Sequence, residues 1–398
     1  MLPATVSDAD DADDADDADD ADDADDADDA LDPLSAVTHP DPYPYYRELA
    51  THRPFFRDQR LGLWVAAGAR EVAEVLSHPD CRVRPPAQRV PPALAGTAAG
   101  DLFGRLIRMN DGAAHAPLKG LLMPLLAAID PAAAAHRAAA LAELIDLMAA
   151  DTALSAERIN GVLFTLPVVT LADLLGLPVA VDCATAVAVA AHVAAFAAAQ
   201  SPLADANTVQ AGALAAQWLG NWLANAEPAT GPLPSLHVAA HAAGIDAQAV
   251  SANTIGLLVQ ACEATAALAG NTLLRLGRGK VPSGTSPEEL VAEVAVSDPP
   301  VQNTRRFLAA DAHLCGHDVK AGDAVLVLLA AASCIGLADG KCPWTFGHGR
   351  HACPGDRLAQ ALAGATVRAL LARGAEPAAL ARAFRYRPSL NARIPHFC

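Results

Sequence analysis

A mainly α-helical fold with a small antiparallel β part is what this 398-residue sequence predicts. Three observations carry that expectation. Alanine and leucine recur at helical spacing over 132–150, 160–177, 207–226 and 245–277. Strand-like runs are short and confined to the neighbourhoods of 62–66 and 313–329. With 53% apolar residues the chain can bury one large core, and no linker rich in Pro, Gly or Ser divides it.

Taken in order, residues 1–33 form an acidic tail built on an Asp-Asp-Ala repeat. It has no hydrophobic face and repels itself, so disorder is expected. The tail explains most of the net charge of −17: residues 8–32 hold 16 of the 45 acids, leaving 29 acids against 28 bases in 34–398. The body is therefore nearly neutral, and no basic stripe suggests a nucleic-acid partner. Pro40, Pro42 and Pro44 precede a short helix at 45–50, and Gly62 to Ala66 reads as a strand before a helix at Ala69 to Ser77. The pattern over 245–277 predicts a helix of about 50 Å, long enough to cross the whole core. Later, His313 to Val319 and Ala324 to Leu329 flank Lys320-Ala321-Gly322-Asp323 and read as a hairpin.

The apolar run 184–199 is mostly alanine with one histidine, a core helix rather than a membrane span. No secretory signal opens the sequence, and its eight cysteines show no paired spacing. Both point to a reducing, cytoplasmic setting without disulfides.

The richest chemistry lies in Phe346-Gly347-His348-Gly349-Arg350-His351-Ala352-Cys353-Pro354-Gly355, just ahead of a helical stretch. A thiolate at a helix N-terminus gains from the macrodipole and free N–H groups, so Cys353 is a candidate metal ligand. Gly349 and Gly355 would let the backbone approach a flat cofactor, and Arg350 and His351 could meet acidic groups at its rim. Two other readings of the residues are a structural cysteine in a Gly/Pro turn and a zinc site of His348, His351 and Cys353.

The spacing Phe, two residues, Gly, three residues, Cys, one residue, Gly resembles the cysteine-loop signature of the cytochrome P450 family. The resemblance implies a P450-like fold with its long central helix over a haem. It implies haem b (iron protoporphyrin IX) bound by a loop containing Phe346, Gly347, Arg350, His351 and Gly355, with Cys353 as the axial thiolate. Further matches occur in the family's order. Gln260-Ala261-Cys262-Glu263-Ala264-Thr265-Ala266 is similar to the oxygen-activating helix: Glu263 matches its acid, Ala264 occupies the alcohol position, and Thr265 follows one residue later. A one-residue step turns a side chain by about 100°, so Thr265 need not share that face. His115-Ala116-Pro117-Leu118-Lys119 resembles a His-x-x-x-Arg element that binds haem propionates, with Lys119 replacing arginine. In Asp298-Pro299-Pro300-Val301-Gln302-Asn303-Thr304-Arg305-Arg306, Arg306 matches a propionate-binding position and Pro-Pro-Val-Gln would line the substrate cavity; Arg305 reads as a surface charge.

The implied activity is monooxygenation of a small apolar organic substrate by O2. Electrons would come from a ferredoxin or flavodoxin with its reductase, docking near Arg350 and Arg357, without a membrane.

The sequence also departs from the family pattern. Where the family has Glu-x-x-Arg, this chain has Glu293-Val294-Ala295-Val296, and the stretch from Ser333 to Thr345 is shorter than the usual meander. These two elements normally support the cysteine loop together. Their loss motivates an alternative function, a non-catalytic homologue that binds haem weakly or acts only as a binding protein.

Overall fold

The computed structural model describes residues 31–146, 154–226, 231–279, 281–338 and 342–398, so the Asp/Ala repeat lies outside the described residues. Pro33–Cys398 forms one compact unit. Its first part runs through α1 (Tyr43–His52), β1 (Phe55–Asp58), β2 (Leu63–Ala66), α2 (Ala69–Ser77) and β3 (Cys81–Arg82). The helical body follows: α3 (Ala98–Arg105), α4 (Ala116–Ala127), α5 (Pro131–Asp146), α6 (Ala156–Leu174), α7 (Cys183–Ala199), α8 (Ala206–Asn225), α9 (Leu233–Ala242), α10 (Ala247–Gly277) and α11 (Pro287–Ser297). Then come β4 (Thr304–Leu308), β5 (Ala312–Leu314), β6 (His317–Val319), β7 (Ala324–Val327) and α12 (Leu329–Ser333). The chain closes with α13 (Asp356–Ala372), α14 (Pro377–Leu380), β8 (Phe384–Tyr386) and β9 (Pro395–Phe397).

Helix starts follow their capping chemistry. Thr97, Ser155, Asp182, Asp205 and Asp246 each accept a first-turn backbone N–H at the heads of α3, α6, α7, α8 and α10. Ser286 and Glu289 form a reciprocal capping box on α11. The 31-residue α10 is apolar on most of its circumference because it is covered on most of it. Helices α6, α7, α11, α13 and α14 all pack against it. By length and composition α10 could cross a membrane, yet 78% of its most apolar window is buried inside the protein.

The larger sheet has the order β1-β2-β7-β4-β3, with β2–β7 parallel and the other neighbours antiparallel. This corrects the hairpin expected around Lys320–Asp323. The hairpin that forms is β5–β6, turning at Cys315 (φ 51°) and Gly316 (φ 82°), a pair of positive φ values that favours a tight two-residue turn. β7 instead inserts between β2 and β4, where Val325, Leu326 and Val327 are fully buried. Burial on both faces outweighs pairing with the sequence neighbour.

The ends of the unit are joined at one buried ion pair. The Arg393 side chain is wholly buried, and its Nε donates to Asp298 Oδ1 at 2.8 Å. Its remaining N–H groups reach the carbonyls of Val37, His39 and Pro40, and its guanidinium lies 3.9 Å from the Tyr386 ring centroid. Tyr43 donates its hydroxyl to the same Asp298 oxygen, and Asn271 of α10 donates to the carbonyls of Asp298 and Arg393. Substituting Arg393→Met strands the Asp298 carboxylate and should cost about 3–5 kcal/mol. Denaturant unfolding of the variant checks this; a loss below about 1 kcal/mol contradicts the anchoring role.

Candidate functional site

The cysteine loop is a closed structure. Cys353 N–H donates to the Phe346 carbonyl at 2.7 Å, Ala352 N–H to Gly349 O at 3.0 Å, and Gly347 N–H to Trp344 O at 2.8 Å. Gly347 (φ 73°) and Gly349 (φ 64°) both take left-handed backbone conformations that glycine adopts without a Cβ penalty. A Cβ on Gly349 would stand 3.4 Å from Leu76 O and Ser77 Oγ. The glycine expected to admit a cofactor thus lets the loop seat against the end of α2. Around Gly355 a Cβ would meet only Leu126 Cδ1, at 3.9 Å.

Two residues, Pro354 and Gly355, separate Cys353 from α13, and the Gly355 N–H donates toward its sulfur. Cys353 is an exposed residue, while the protein crowded around its thiol pushes the pKa upward. Burial therefore outweighs the Gly355 N–H and the Lys119 charge, and the thiolate expected from the helix terminus is not held by this environment alone.

What seats the loop comes from elements far away in sequence. Lys119 Nζ on α4 donates to Arg350 O at 2.5 Å and Ala352 O at 2.8 Å. Arg350 points back to the α2 end, donating to the carbonyls of Ser77, His78 and Cys81, and contacts Asp111 at 3.4 Å. Asp111 also accepts from His351 Nε2 at 3.0 Å and from Val83 N–H at 3.0 Å. Burial pushes the Asp111 carboxyl up, but those two hydrogen bonds and the His351 and Arg350 charges prevail and hold it well below the usual range.

His115 is buried, 4.3 Å from His351 between ring centroids. Burial, then the charges of His351 and Lys119, lower its pKa to about 4. Arg306 on β4 is buried as well; its Nη1 donates to Thr304 Oγ1 and Arg305 O, while its Nε has no hydrogen-bond partner. Arg84 Nη1 is likewise buried without a partner. Arg305, expected at the surface, is half-buried.

This region passes a test of fit for haem. Two arginines, Arg306 and Arg350, stand with two histidines around one carboxylate, Asp111, and the Lys119 charge acts on His115. The uncompensated positive charge and the orphaned Arg306 Nε suit a group bearing two carboxylates. No three His, Cys, Asp or Glu side chains converge as a metal site among the described residues, so the zinc arrangement of His348, His351 and Cys353 is not formed.

On α10, Glu263 and Ala264 are half-buried, whereas Thr265, about 200° around the helix from Glu263, is only 2% exposed. Burial raises the Glu263 pKa, opposed by the charges of Arg387 and Arg108. Neither arginine was singled out from the sequence. Pro-Pro-Val-Gln does not form an open wall: Gln302 is fully buried, with its N–H on Asn391 O and its side chain on Pro299 O. The missing Glu-x-x-Arg pair has no substitute in place. Glu293 lies at the surface paired with Arg275 of α10 at 2.9 Å, and Val296 cannot make an ion pair.

A long buried helix crossing the core, with a cysteine loop ahead of another core helix and a small mixed sheet to one side, defines the cytochrome P450 fold. Solved structures place the chain within that class. It matches CalO2 at TM-score 0.70 and 22% identity over 93% of this chain and 99% of that one. It matches a Tepidiphilus thermophilus P450 heme domain at TM-score 0.70 and 17% identity, over 92% and 95% of the two chains. A third match is P450BioI, solved in complex with hexadec-9Z-enoic acid ligated acyl carrier protein, at TM-score 0.69 and 18% identity over 89% and 96%. No protein-family model and no curated protein matches. The fold is that of the cytochromes P450.

Two predictions follow from the way the loop is seated. Lys119→Met removes two charge-assisted hydrogen bonds to the loop and should destabilise the protein by about 2–3 kcal/mol, with Lys119→Arg recovering part of the loss and Glu293→Gln costing under about 1 kcal/mol. Chemical denaturation of the three variants checks the order. The second concerns acid. The folded pKa of Asp111 is depressed, so its stabilisation is complete above the unfolded value of about 3.9 and is lost as pH falls below it. Asp111→Asn should therefore flatten the acid limb of the stability–pH curve, and an unaltered limb would contradict the assignment.

Proposed function

We propose that the protein is a haem-thiolate monooxygenase acting on a small, largely apolar organic substrate, with Cys353 as axial ligand. The observation that carries this reading is the convergence of His115, His351 and Arg306 beside the loop that carries the exposed residue Cys353. Haem b bound through a cysteine thiolate supplies O–O bond cleavage and insertion of one oxygen atom into substrate. His115, His351 and Arg306 would hold its propionates. Phe346, Gly347 and Gly355 shape the loop around the sulfur, while Lys119 and Arg350 fix that loop through its carbonyls and the α2 end.

On the α10 side, Glu263 is half-buried and burial raises its pKa, which suits a carboxyl that passes a proton on. Ala264 leaves the usual alcohol position without a hydroxyl, and the buried Thr265 faces elsewhere, so proton movement runs through Glu263 and water. Electrons come from a ferredoxin or flavodoxin with its reductase. Arg357 is exposed near the loop and suits docking of an acidic partner; Arg350 is committed to the α2 carbonyls.

A second reading, a non-catalytic homologue, is favoured by the solvent-side Glu293 and by Val296. The reduced, carbon monoxide-treated protein separates the two. A red-shifted Soret band of thiolate-ligated ferrous haem, lost in Cys353→Ser, is expected. Protein that takes up no haem refutes the enzyme reading. A correct spectrum without substrate-dependent oxygen consumption, under supplied ferredoxin and reductase, supports the second.

A further inference from the structure

Helices α7 and α8 contain no Asp, Glu, Lys or Arg, and residues 159–274 contain no Lys or Arg at all. A protein surface that stays in water normally carries about 25–35% charged residues. Yet α8 faces solvent along one side. Asn207, Ala211, Leu214, Trp218, Asn221 and Asn225 follow in alternate steps of four and three residues, which sets them in one row. Asn207, Ala211, Asn221 and Asn225 are exposed, Leu214 is 62% exposed, and Trp218 is half-buried.

Trp218 is braced from behind. Its ring stacks on His192 of α7, with centroids 4.0 Å apart and planes 7° from parallel, and His192 Nδ1 meets Ala188 O at 2.7 Å. Trp222 lies parallel to it at 6.2 Å. The two indoles, with Asn221, Asn225 and Pro178, line an open groove of about 380 Å³.

The row is self-complementary. Reversed about an axis between Leu214 and Trp218, it falls on itself: Asn207 comes opposite Asn225, Ala211 opposite Asn221, and Leu214 opposite Trp218. Asn225 donates its amide to Asn221 O at 2.8 Å, which leaves its Oδ1 to accept from an opposing Asn207 amide. Leucine against an indole buries apolar surface on both sides of the axis, and a braced tryptophan loses little freedom on contact. Ala211 is small enough to let the two helix axes approach over the groove. Asparagines within such a seam fix its register.

Charge decides among the possible occupants. An anionic lipid surface or an acidic protein draws on Lys and Arg, and this face has neither. A second copy brings no like charges into the row, because Asp182 and Asp205 lie outside the two helices and cap their first turns.

We propose that α8 packs antiparallel against α8 of a second copy, forming a two-fold dimer through the row from Asn207 to Asn225. One pair of helices about 30 Å long buries less than the roughly 1,600 Å² of a standard interface, so the dimer is reversible. The association needs no haem and stands apart from the monooxygenase reading.

Sedimentation velocity of the full-length protein over about 1–200 µM tests this. The weight-average mass should rise toward that of two chains, and added salt should not loosen the association. Leu214→Glu should weaken it at least about tenfold. Val238→Glu on α9, at a residue equally open to solvent, should leave it unchanged. The register is read from Ala211→Lys and Asn221→Glu: each alone should weaken the dimer, and the two in one chain should restore it, since they face each other across the axis. A protein that stays monomeric at the highest concentration overturns the proposal. So does a dimer indifferent to Leu214→Glu, one loosened by salt, or a double variant no stronger than the singles. Co-sedimentation of the wild type, but not of Leu214→Glu, with phosphatidylcholine vesicles also overturns it and assigns the row to a lipid surface.

Discussion

The cysteine loop keeps its shape because two long cations spend their N–H groups on backbone carbonyls. Lys119 reaches across from α4 to Arg350 O and Ala352 O, and Arg350 reaches back to Ser77, His78 and Cys81. A loop with glycines in left-handed conformations has little rigidity of its own, so its carbonyls need partners to point one way. Asp111 completes the arrangement by taking His351, Arg350 and the Val83 N–H at once. All of these bonds except that of the Val83 N–H join segments more than two hundred residues apart, and each involves a charged group, for which hydrogen bonding contributes most. Remove them and Cys353 has no fixed direction, whatever lies opposite it.

That arrangement bears on the absent Glu-x-x-Arg pair. With Val296 in place of a cation, a buried Glu293 would be an unpaired charge, and the helix avoids this by presenting Glu293 to solvent beside Arg275. The short segment after α12 is held by other means: Trp344 Nε1 donates to Gly336 O, and Thr345 Oγ1 accepts the Val301 N–H. The Arg393–Asp298 pair then ties that Pro-Pro segment to the N-terminal stretch and α10. Support that one ion pair would have concentrated behind the loop is distributed between the α4 and α2 side and the C-terminal hairpin.

Much of this fold could be read from the sequence because its elements announce themselves locally. The period of 245–277, the strand at 62–66 and the helix at Ala69–Ser77 need no distant partner to be recognised, and α10, β2 and α2 lie within two residues of them. The β7 strand could not be placed that way. Its apolar run is satisfied only by β2 and β4, and the first of these lies some 260 residues upstream. The same holds within the site. The cysteine loop has a spacing that can be matched, and so does the His115 to Lys119 turn. That Lys119 grips loop carbonyls, that Gly349 faces α2, and that Arg350 is turned inward are consequences of tertiary packing. Arg108 and Arg387 carried no signal at all, since an isolated arginine in a polar stretch is normally a surface charge.

Both charge groups follow one rule. A protein interior tolerates a cation only where something negative meets it, and in each group the cations outnumber the carboxylate that acts on them: Asp111 with Arg306 and Arg350, and Glu263 with Arg108 and Arg387. The cost is paid in stability, and it persists where an incoming group can remove it.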